Sequence, residues 1–320
     1  MHCFYHNDLD GHCAGAIVKM KYPECHMHEI QYGYDFNTDV LLEIDEAVNL
    51  QTEVDKRIII VDFSFFTDEI TWLVNKLGYK VIWIDHHATA IGNEKLEFVN
   101  AKAHNREDIY SVVDGIRDVS KSGCELTWEY LYPDTPMPRA VHWLGRWDVW
   151  DHSDINTIPF HAGMDLMHTD PIDPEVMESW IQVLEDKPNP NPNSAGNLVD
   201  LILGMGNTAN KAKEKYDIKI CKNAYYLTDW QGYRTVAVNG YLQDSYAISK
   251  DDERFSEFKP EVLVWYCQTP DNKWIYSLRS YPGTETDVST IATKFGGGGH
   301  AGASGFKNNK LIITPETDNV

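Results

Sequence analysis

Basic residues are scarce in this sequence. Its 320 residues include 28 Lys and Arg against 49 Asp and Glu, so the formal net charge is −21 at pH 7. A long nucleic-acid strand needs a basic groove, because much of its affinity comes from neutralised phosphates. The composition therefore argues against a long nucleic-acid track and favours short anionic substrates held by metal ions and a few Arg side chains. The other interpretation, that the acidic surface serves solubility, stays open for most of these carboxylates.

Paired cysteines, a secretion signal and membrane spans are also lacking. None of the six Cys residues belongs to a CxxC pair, which is typical of free thiols in a reducing compartment. No apolar run reaches the length of a transmembrane helix, and the first residues do not combine a basic segment with an apolar one. We expect a soluble cytoplasmic protein without a membrane partner. The Cys-His-Met-His run at 25–28 has no partner cluster, so it predicts no metal site.

The composition is that of a folded chain with room for two domains. Hydrophobic residues make up 42% and aromatic residues 12%, which supports a full core. A run that alternates Pro and Asn at 187–193 cannot form a helix or a central strand. We predict a metal-binding domain over residues 1–170, a helical connector over 171–224 and a smaller α/β domain over 225–320.

Three apolar runs in the N-terminal half end in acids and imidazoles. They cover residues 2–5, 57–61 and 80–84, and each is typical of an interior strand with helices on both faces. Alternating strands and helices predict βαβ units and a parallel sheet, whose carboxyl ends open into a crevice. Carboxylates and imidazoles gathered there would bind Mn²⁺, Mg²⁺ or Zn²⁺. The residues that follow the three runs are His6, Asp8, Asp10, Asp62, Asp85, His86 and His87.

Each of these signals has a simpler interpretation when taken alone. An acid after a strand often caps the next helix, and Asp-x-Asp-Gly is often a turn. The repetition on three strands favours a metal centre. Because His86 and His87 are adjacent at a strand end, they point to opposite sides, so one can bind a metal while the other faces a substrate.

A fourth acid follows a helix predicted over residues 140–147. Both Asp148 and Asp151 lie in this Trp-rich segment, and we favour Asp148 while the choice stays open. Ser122, with Glu125 three residues later, predicts the start of another helix. Four more residues of metal-ligating type have no strand to carry them inward, so we interpret them as loop residues. They are His161, Asp165, His168 and Asp170.

The C-terminal region combines predicted strands with a glycine run. The strands are predicted over residues 233–238, 261–266 and 273–278. Backbone N–H groups of the four glycines at 296–299 can turn toward an anion, and we expect a helix to start after them and add its dipole. Arg279, followed by Ser280 at a strand end, supplies a cation for a phosphate. A flexible linker is the alternative interpretation of the glycine run.

Together these motifs resemble the DHH/DHHA1 phosphoesterase family. The N-terminal signatures are His-Asn-Asp-Leu-Asp-Gly at 6–11, Asp62, Asp-His-His at 85–87 and an acid within 147–151. The C-terminal signatures are Ser-Leu-Arg-Ser at 277–280, Asp-Val-Ser at 287–289 and the glycine run with His300. The resemblance covers nearly the whole chain. It implies an α/β fold in which a parallel-sheet DHH domain is joined by a helical connector to a smaller α/β DHHA1 domain, with the active site in the cleft.

The resemblance also implies two divalent ions, usually Mn²⁺ with Mg²⁺ as the other choice. One ion would be held by His6, Asp8 and Asp62. The other would be held by Asp10, Asp62, His86 and Asp148, so that Asp62 bridges the pair. Asp85 would orient an imidazole and His87 would face the substrate phosphate. The substrate would be gripped by Arg279, Ser280, Gly297, Gly298, Gly299 and His300.

The implied activity is hydrolysis of phosphodiester bonds in short substrates, from dinucleotides to small oligonucleotides, by a water that two metals activate. A cyclic dinucleotide phosphodiesterase is the second interpretation, and a single-strand DNA exonuclease is the third. An inactive nucleotide-binding module is the alternative from another class, and the complete ligand set argues against it. Base preference, direction of attack and a homodimer stay open.

Overall fold

The computed structural model describes residues 1–44, 55–103, 108–187, 196–240 and 253–315. The chain divides into two units, Met1–Ala209 and Asn210–Val320, and the division falls within one long helix. Each unit has a sheet of its own. The domain boundaries predicted at 170 and 224 stay predictions.

The first unit is built on a four-stranded parallel sheet, as the apolar runs predicted. Its strands are β1 (His2–His6), β2 (His26–Ile30), β3 (Arg57–Val61) and β4 (Lys80–Ile84). Their order in the sheet is β2-β1-β3-β4, and every neighbouring pair is parallel. Beyond β4, the segment around Asp114 and Arg117 adds two parallel bridges, to Ile82 and Asp85.

Helices connect and cover these strands. In chain order they are α1 (Leu9–Lys21), α2 (Thr67–Asn75), α3 (Ala88–Ala103), α4 (Gly123–Leu131), α5 (Arg139–Asp148), α6 (Thr157–Met164), α7 (Pro174–Glu185) and α8 (Leu198–Ala224). The predicted capping box is present at α4, where the Ser122 hydroxyl accepts from the Glu125 amide and the Glu125 carboxylate accepts from the Ser122 amide. Within the described residues no helix is both long enough and apolar enough to cross a membrane.

Both faces of the first sheet are buried, which explains its unbroken apolar strands. Side chains alternate across a strand, so Tyr5 and Ile59 face one apolar cluster while Phe4 and Ile60 face another. The first cluster includes side chains of α1 and α4, and the second includes side chains of α2. Each large apolar side chain that leaves water contributes roughly 1.5–3 kcal/mol.

Small residues let α1 lie close to the sheet. A Cβ atom added to Gly15 would lie 2.9 Å from Cγ of Tyr5, which is shorter than real contacts of a Cβ atom. The small residues of α1 therefore permit close packing on the sheet. Because α1 begins directly after β1, its first turn stands at the carboxyl edge of the sheet.

The second unit is built on a mixed six-stranded sheet. Its strands are β5 (Tyr225–Trp230), β6 (Tyr233–Asn239), β7 (Val262–Gln268), β8 (Trp274–Ser280), β9 (Gly298–His300) and β10 (Ala303–Asn308). The order is β5-β6-β7-β8-β10-β9, with only β6 and β7 parallel among the described pairs. Two helices accompany the sheet, α9 (Glu253–Phe258) and α10 (Val288–Lys294). All three strands predicted for this region are confirmed.

The prediction that a helix starts after the glycine run is wrong. The run instead enters β9, which pairs antiparallel with β10 and places His300 opposite Ala303. A Cβ atom on Gly297 would lie 2.1 Å from the carbonyl oxygen of Gly305, so these glycines permit close approach of two strands. The run is a strand edge rather than the start of a helix.

Loop predictions differ from the structure at one further place. His161, expected in a loop, lies within α6, and Asp165 follows as the residue that ends that helix. A π-helical turn forms at Phe36–Leu41, and residues 45–54 lie outside the described residues. Most of the Pro-Asn run also lies outside them.

Candidate metal centre

The strand order of the first sheet brings the predicted motifs to one edge. In open α/β sheets, ligand crevices form at the carboxyl ends of strands where the strand order reverses, which here is between β1 and β3. His6 ends β1, Asp62 follows β3, and Asp85 follows β4. Because these strands are parallel neighbours, the three ends are adjacent.

His6 and Asp8 form the first part of the centre. Asp8 caps α1, with its Oδ1 accepting from the Gly11 amide at 2.9 Å and its Oδ2 2.8 Å from Nδ1 of His6. Burial alone would raise the pKa of Asp8, but the hydrogen bonds from His6 and Gly11 lower it to about 2. His6 Nδ1 also lies 3.8 Å from Oδ2 of Asp62.

Asp10, His86 and Asp148 form the second part. His86 Nε2 lies 3.9 Å from Oδ2 of Asp10 and 3.3 Å from Oδ2 of Asp148. Both Asp10 oxygens accept from the first turn of α4, at 2.7 Å from the Gly123 amide and 3.0 Å from the Cys124 amide. The positive end of the helix therefore stabilises a carboxylate that is only 4% exposed.

Asp62 lies between the two parts. It is 1% exposed, and its φ of +53° is in the left-handed region that non-glycine residues seldom adopt. Its Oδ1 lies 3.1 Å from Nε2 of His86 but has no hydrogen-bond partner among the described residues. A Cβ atom on Gly123 would lie 2.5 Å from Cβ of Asp62, so the glycine that starts α4 makes room for this carboxylate.

Burial and neighbouring carboxylates both disfavour the ionised form of Asp62. Burial raises its pKa well above the usual range, and the nearby carboxylates raise it further, Asp10 most of all. An ionised carboxylate in such a place is costly unless a cation pairs with it. Backbone strain, an unpartnered oxygen and a raised pKa at one residue are typical of a ligand position.

Asp85 fixes both histidines of its motif. It is fully buried, and its Oδ1 accepts from the His86 amide at 2.8 Å, the His87 amide at 3.2 Å and Nδ1 of His87 at 2.7 Å. This hydrogen bond raises the pKa of His87 against the effect of burial. Burial lowers the pKa of His86, whose neutral imidazole suits metal ligation. Asp85 therefore acts through the two imidazoles.

Asp148 and Asp151 occupy different environments. Asp148 faces His86, and burial together with Asp10 and Asp8 raises its pKa to about 7. Asp151 instead accepts from the Ser153 amide at 3.1 Å and lies 3.7 Å from a guanidinium nitrogen of Arg146. The geometry places Asp148 with the other ligand-type residues.

The donor atoms fit divalent ions. Within each of three groups, the ligand atoms lie within 4.8 Å of one another. The third group, Asp62 with His86 and His87, shares Asp62 with the first group and His86 with the second. The first two are His6 with Asp8 and Asp62, and Asp10 with His86 and Asp148. Donors at about 2.0–2.2 Å from one small cation lie roughly 3 Å apart, as His86 Nε2 and Asp62 Oδ1 do. The assignment of each residue to an ion stays a proposal.

The predicted substrate-binding residues lie on two strands of the second unit, β8 and β9, and directly before β9. Arg279 stands opposite Ala303 in the pairing of β8 with β10, and its guanidinium lies 4.7 Å from the centre of the Trp265 ring. The Ser280 hydroxyl lies 3.2 Å from the carbonyl oxygen of Thr284. Gly298, Gly299 and His300 form β9, with Gly297 directly before it, on the far side of β10 from Arg279. Their role in binding a phosphate stays a prediction.

One cluster escaped the sequence analysis. His12 lies 2.8 Å from the Thr169 hydroxyl and 2.7 Å from Oε1 of Glu29, while Asp170 accepts from the Tyr5 hydroxyl at 2.5 Å. His12, Glu29 and Asp170 also have ligand atoms within 4.8 Å of one another. These residues lie on separate elements with no shared motif, so sequence spacing could not have joined them.

Sequence comparison finds one distant relative and no family model. An uncharacterised protein of Acanthamoeba polyphaga mimivirus is 25% identical over 279 residues, which are 78% of this chain. The chain spans about half the length of that relative, since the match covers 53% of it. No family model matches the sequence.

Comparison with solved structures identifies the fold. The DHH domain of a protein from a family of ribosomal proteins superposes with a TM-score of 0.50 and 13% identity, over 95% of this chain and 81% of that one. A pGpG-specific phosphodiesterase of Vibrio cholerae superposes with a TM-score of 0.45 and 11% identity, over 96% and 92% of the two chains. The predicted resemblance is therefore confirmed at the level of the fold, and the chain has the fold of the DHH-domain proteins.

Proposed function

We propose that this protein is a metal-dependent phosphodiesterase that hydrolyses short nucleotide substrates. The observation that carries the proposal is the buried, unpartnered oxygen of Asp62 between two groups of ligand-type side chains. The DHH-type fold supports it, and the candidate ligand residues lie at the ends of strands of the parallel sheet. The net charge of −21 supports short substrates over long strands.

The residues of the centre divide the work between holding ions and positioning a phosphate. His6, Asp8 and Asp62 would hold one divalent ion, and the same Asp62 with Asp10, His86 and Asp148 would hold a second. Bound there, a pair of ions would lower the pKa of water to near neutrality and neutralise charge on the phosphoryl oxygens.

His87 is the side chain of the centre best placed to meet a substrate. Its side chain is 31% exposed while Asp85 behind it is fully buried. The hydrogen bond to Asp85 raises the pKa of His87 and so favours its protonated form, which would donate to a phosphoryl or leaving oxygen. General acid catalysis of this kind contributes roughly 10²–10⁴-fold to a rate.

The test is a substrate panel with matched aspartate variants. Initial rates are measured with Mn²⁺ on linear dinucleotides, their cyclic forms, longer single strands and polyphosphate. We expect the linear dinucleotides to be hydrolysed fastest, Asp148→Asn to reduce turnover to background, and Asp151→Asn three residues away to retain it. If the cyclic forms are hydrolysed faster, the proposed substrate changes from linear to cyclic dinucleotides. No Mn²⁺-dependent turnover of any member would contradict the proposal.

A further inference from the structure

An aromatic cavity opens beside the candidate metal centre. Its volume is about 500 Å³, within the range of small-molecule sites. It is formed entirely by the first unit. Its lining residues come from β4 and from the segments after β2, β3 and β4, and include Tyr32, Tyr34, Phe66, His87, Thr89 and Asn93.

The walls of this cavity are uncharged and rich in rings. The described residues that line it include no Asp, Glu, Lys or Arg, in a chain whose net charge is −21. Tyr34 and Phe66 present nearly parallel rings, 6.5 Å apart between centroids and 21° apart in plane. Away from His87, the cavity is therefore suited to a flat, uncharged group.

Two of the aromatic side chains that line the cavity are largely exposed to solvent. Phe66 is 70% exposed and Tyr32 is 52% exposed, although both are large apolar side chains. The hydroxyl of Thr89 and the amide of Asn93 lie on the same lining, where they can meet polar edges of a bound ring. Exposed rings with a few polar groups around one cavity are typical of a ligand site.

His87 joins this cavity to the metal centre. Its ring lines the cavity, lies 6.0 Å from the Tyr32 ring and 4.6 Å from the His86 ring, measured between centroids. A ligand that extends from one site to the other must therefore combine a flat uncharged ring with a phosphate group. A nucleotide has both parts in one molecule.

We infer that this cavity binds the nucleobase of the nucleotide whose phosphate meets the metal centre. The inference rests on the proposed function, since it assigns a second part of the same substrate to the same site. Every base has a face that can stack on an aromatic ring, so the cavity selects nucleotides over other phosphoesters more than it selects one base. Proteins that stack bases on aromatic side chains likewise show little preference among the bases.

The test compares ligands that differ only in the base. Binding of the four nucleoside 5′-monophosphates and of ribose 5-phosphate is measured by calorimetry in the presence of Mn²⁺. We expect the tightest nucleotide to bind at least roughly tenfold more tightly than ribose 5-phosphate, in keeping with the stacking of one base. Phe66→Ala and Tyr32→Leu should each reduce this ratio several-fold, and Phe66→Tyr should preserve it.

Tyr132→Ala is the matched control, because it removes a ring at the opposite end of α4 from Gly123 and should leave the ratio unchanged. Thermal melts monitored by circular dichroism verify that each variant is folded. Equal affinities in the wild type, or a ratio that survives both Phe66→Ala and Tyr32→Leu, would overturn the inference. Failure of the proposed function shows separately, as absent hydrolysis of dinucleotides by the wild type, and does not depend on the binding ratio.

Discussion

Two clusters of the first unit contain the same kinds of side chain but differ in whether their buried polar atoms have hydrogen-bond partners. In the cluster around His12, the imidazole lies between Thr169 and Glu29, and Asp170 accepts from Tyr5. In the metal centre, a buried oxygen of Asp62 has no hydrogen-bond partner within the part of the chain that the structure describes. Both clusters have ligand atoms close enough to share an ion.

The difference teaches that ligand type and proximity do not by themselves define a metal centre. A buried polar group is normally hydrogen-bonded, so a satisfied cluster is explained by the stability that it contributes. A cluster of carboxylates that raise one another's pKa is instead unfavourable until cations arrive. We therefore expect the His12 cluster to act in folding and the Asp62 cluster to act in chemistry.

The strongest test of this contrast is Asp62→Asn. The substitution removes the carboxylate shared by the two groups, so we expect turnover to fall to background. It also removes charge repulsion, so the metal-free protein should melt at a higher temperature, by about 2–4 °C for each kcal/mol gained. Activity assays and thermal melts in EDTA measure the two effects, and Glu29→Gln serves as the control that retains turnover. A lower melting temperature for Asp62→Asn would contradict the assignment.

A second test of this contrast is at Asp85, which acts by orienting His86 and His87. Asp85→Asn should weaken the fixed orientation of His86 and His87 and reduce turnover roughly 10- to 100-fold, as partners of metal ligands usually do. The loss should be accompanied by an altered pH profile of kcat, because the pKa of His87 depends on this carboxylate. An unchanged profile with the same loss of rate would indicate a merely structural role.

At the other cluster the expected effect is on stability alone. His12→Ala leaves Thr169 and Glu29 without their shared partner, so we expect a loss of about 1–3 kcal/mol in the free energy of unfolding. Urea denaturation measures the loss. The rise in melting temperature that Mn²⁺ produces should equal that of the wild type. A reduced Mn²⁺ effect would mean that this cluster also binds an ion.

The smallest expected effect is a pH dependence at Asp148. Its pKa is raised from 3.8 to about 7, so this group favours folding while protonated, and that contribution is lost as the pH rises through 7. Without metal, the wild type should therefore lose stability relative to Asp148→Asn as the pH rises from about 4 to about 7. Urea denaturation in EDTA measures the difference. A gap that is constant with pH would contradict the raised pKa.

Much of the first unit was predictable because its signals are local. Continuous apolar runs predicted the parallel strands, and the polar residues that end them predicted which side chains would meet. The capping box at Ser122 followed from two residues within one helical turn. The ligand groups could be anticipated because each strand end carries its own motif.

The rest depends on contacts between distant segments. The glycine run suggested a helix start, but its pairing with Ala303–Asn308 makes it a strand. The aromatic cavity joins Tyr32, Phe66, Trp83 and Tyr110, which no spacing relates. His161 was expected in a loop because no predicted strand carries it inward, yet it lies among buried neighbours in α6. Such features could not be predicted from sequence spacing, because the contacts form only when the chain folds.

The left-handed backbone at Asp62 limits the ways in which this protein could lose the proposed activity during evolution. Asn and Gly tolerate that conformation, whereas β-branched residues are strained by it. A descendant that kept the architecture but abandoned hydrolysis, for example to serve as a nucleotide sensor, would therefore be expected to carry Asn or Gly here. Val or Ile at the same position would instead mark a lineage whose strand end has been rebuilt.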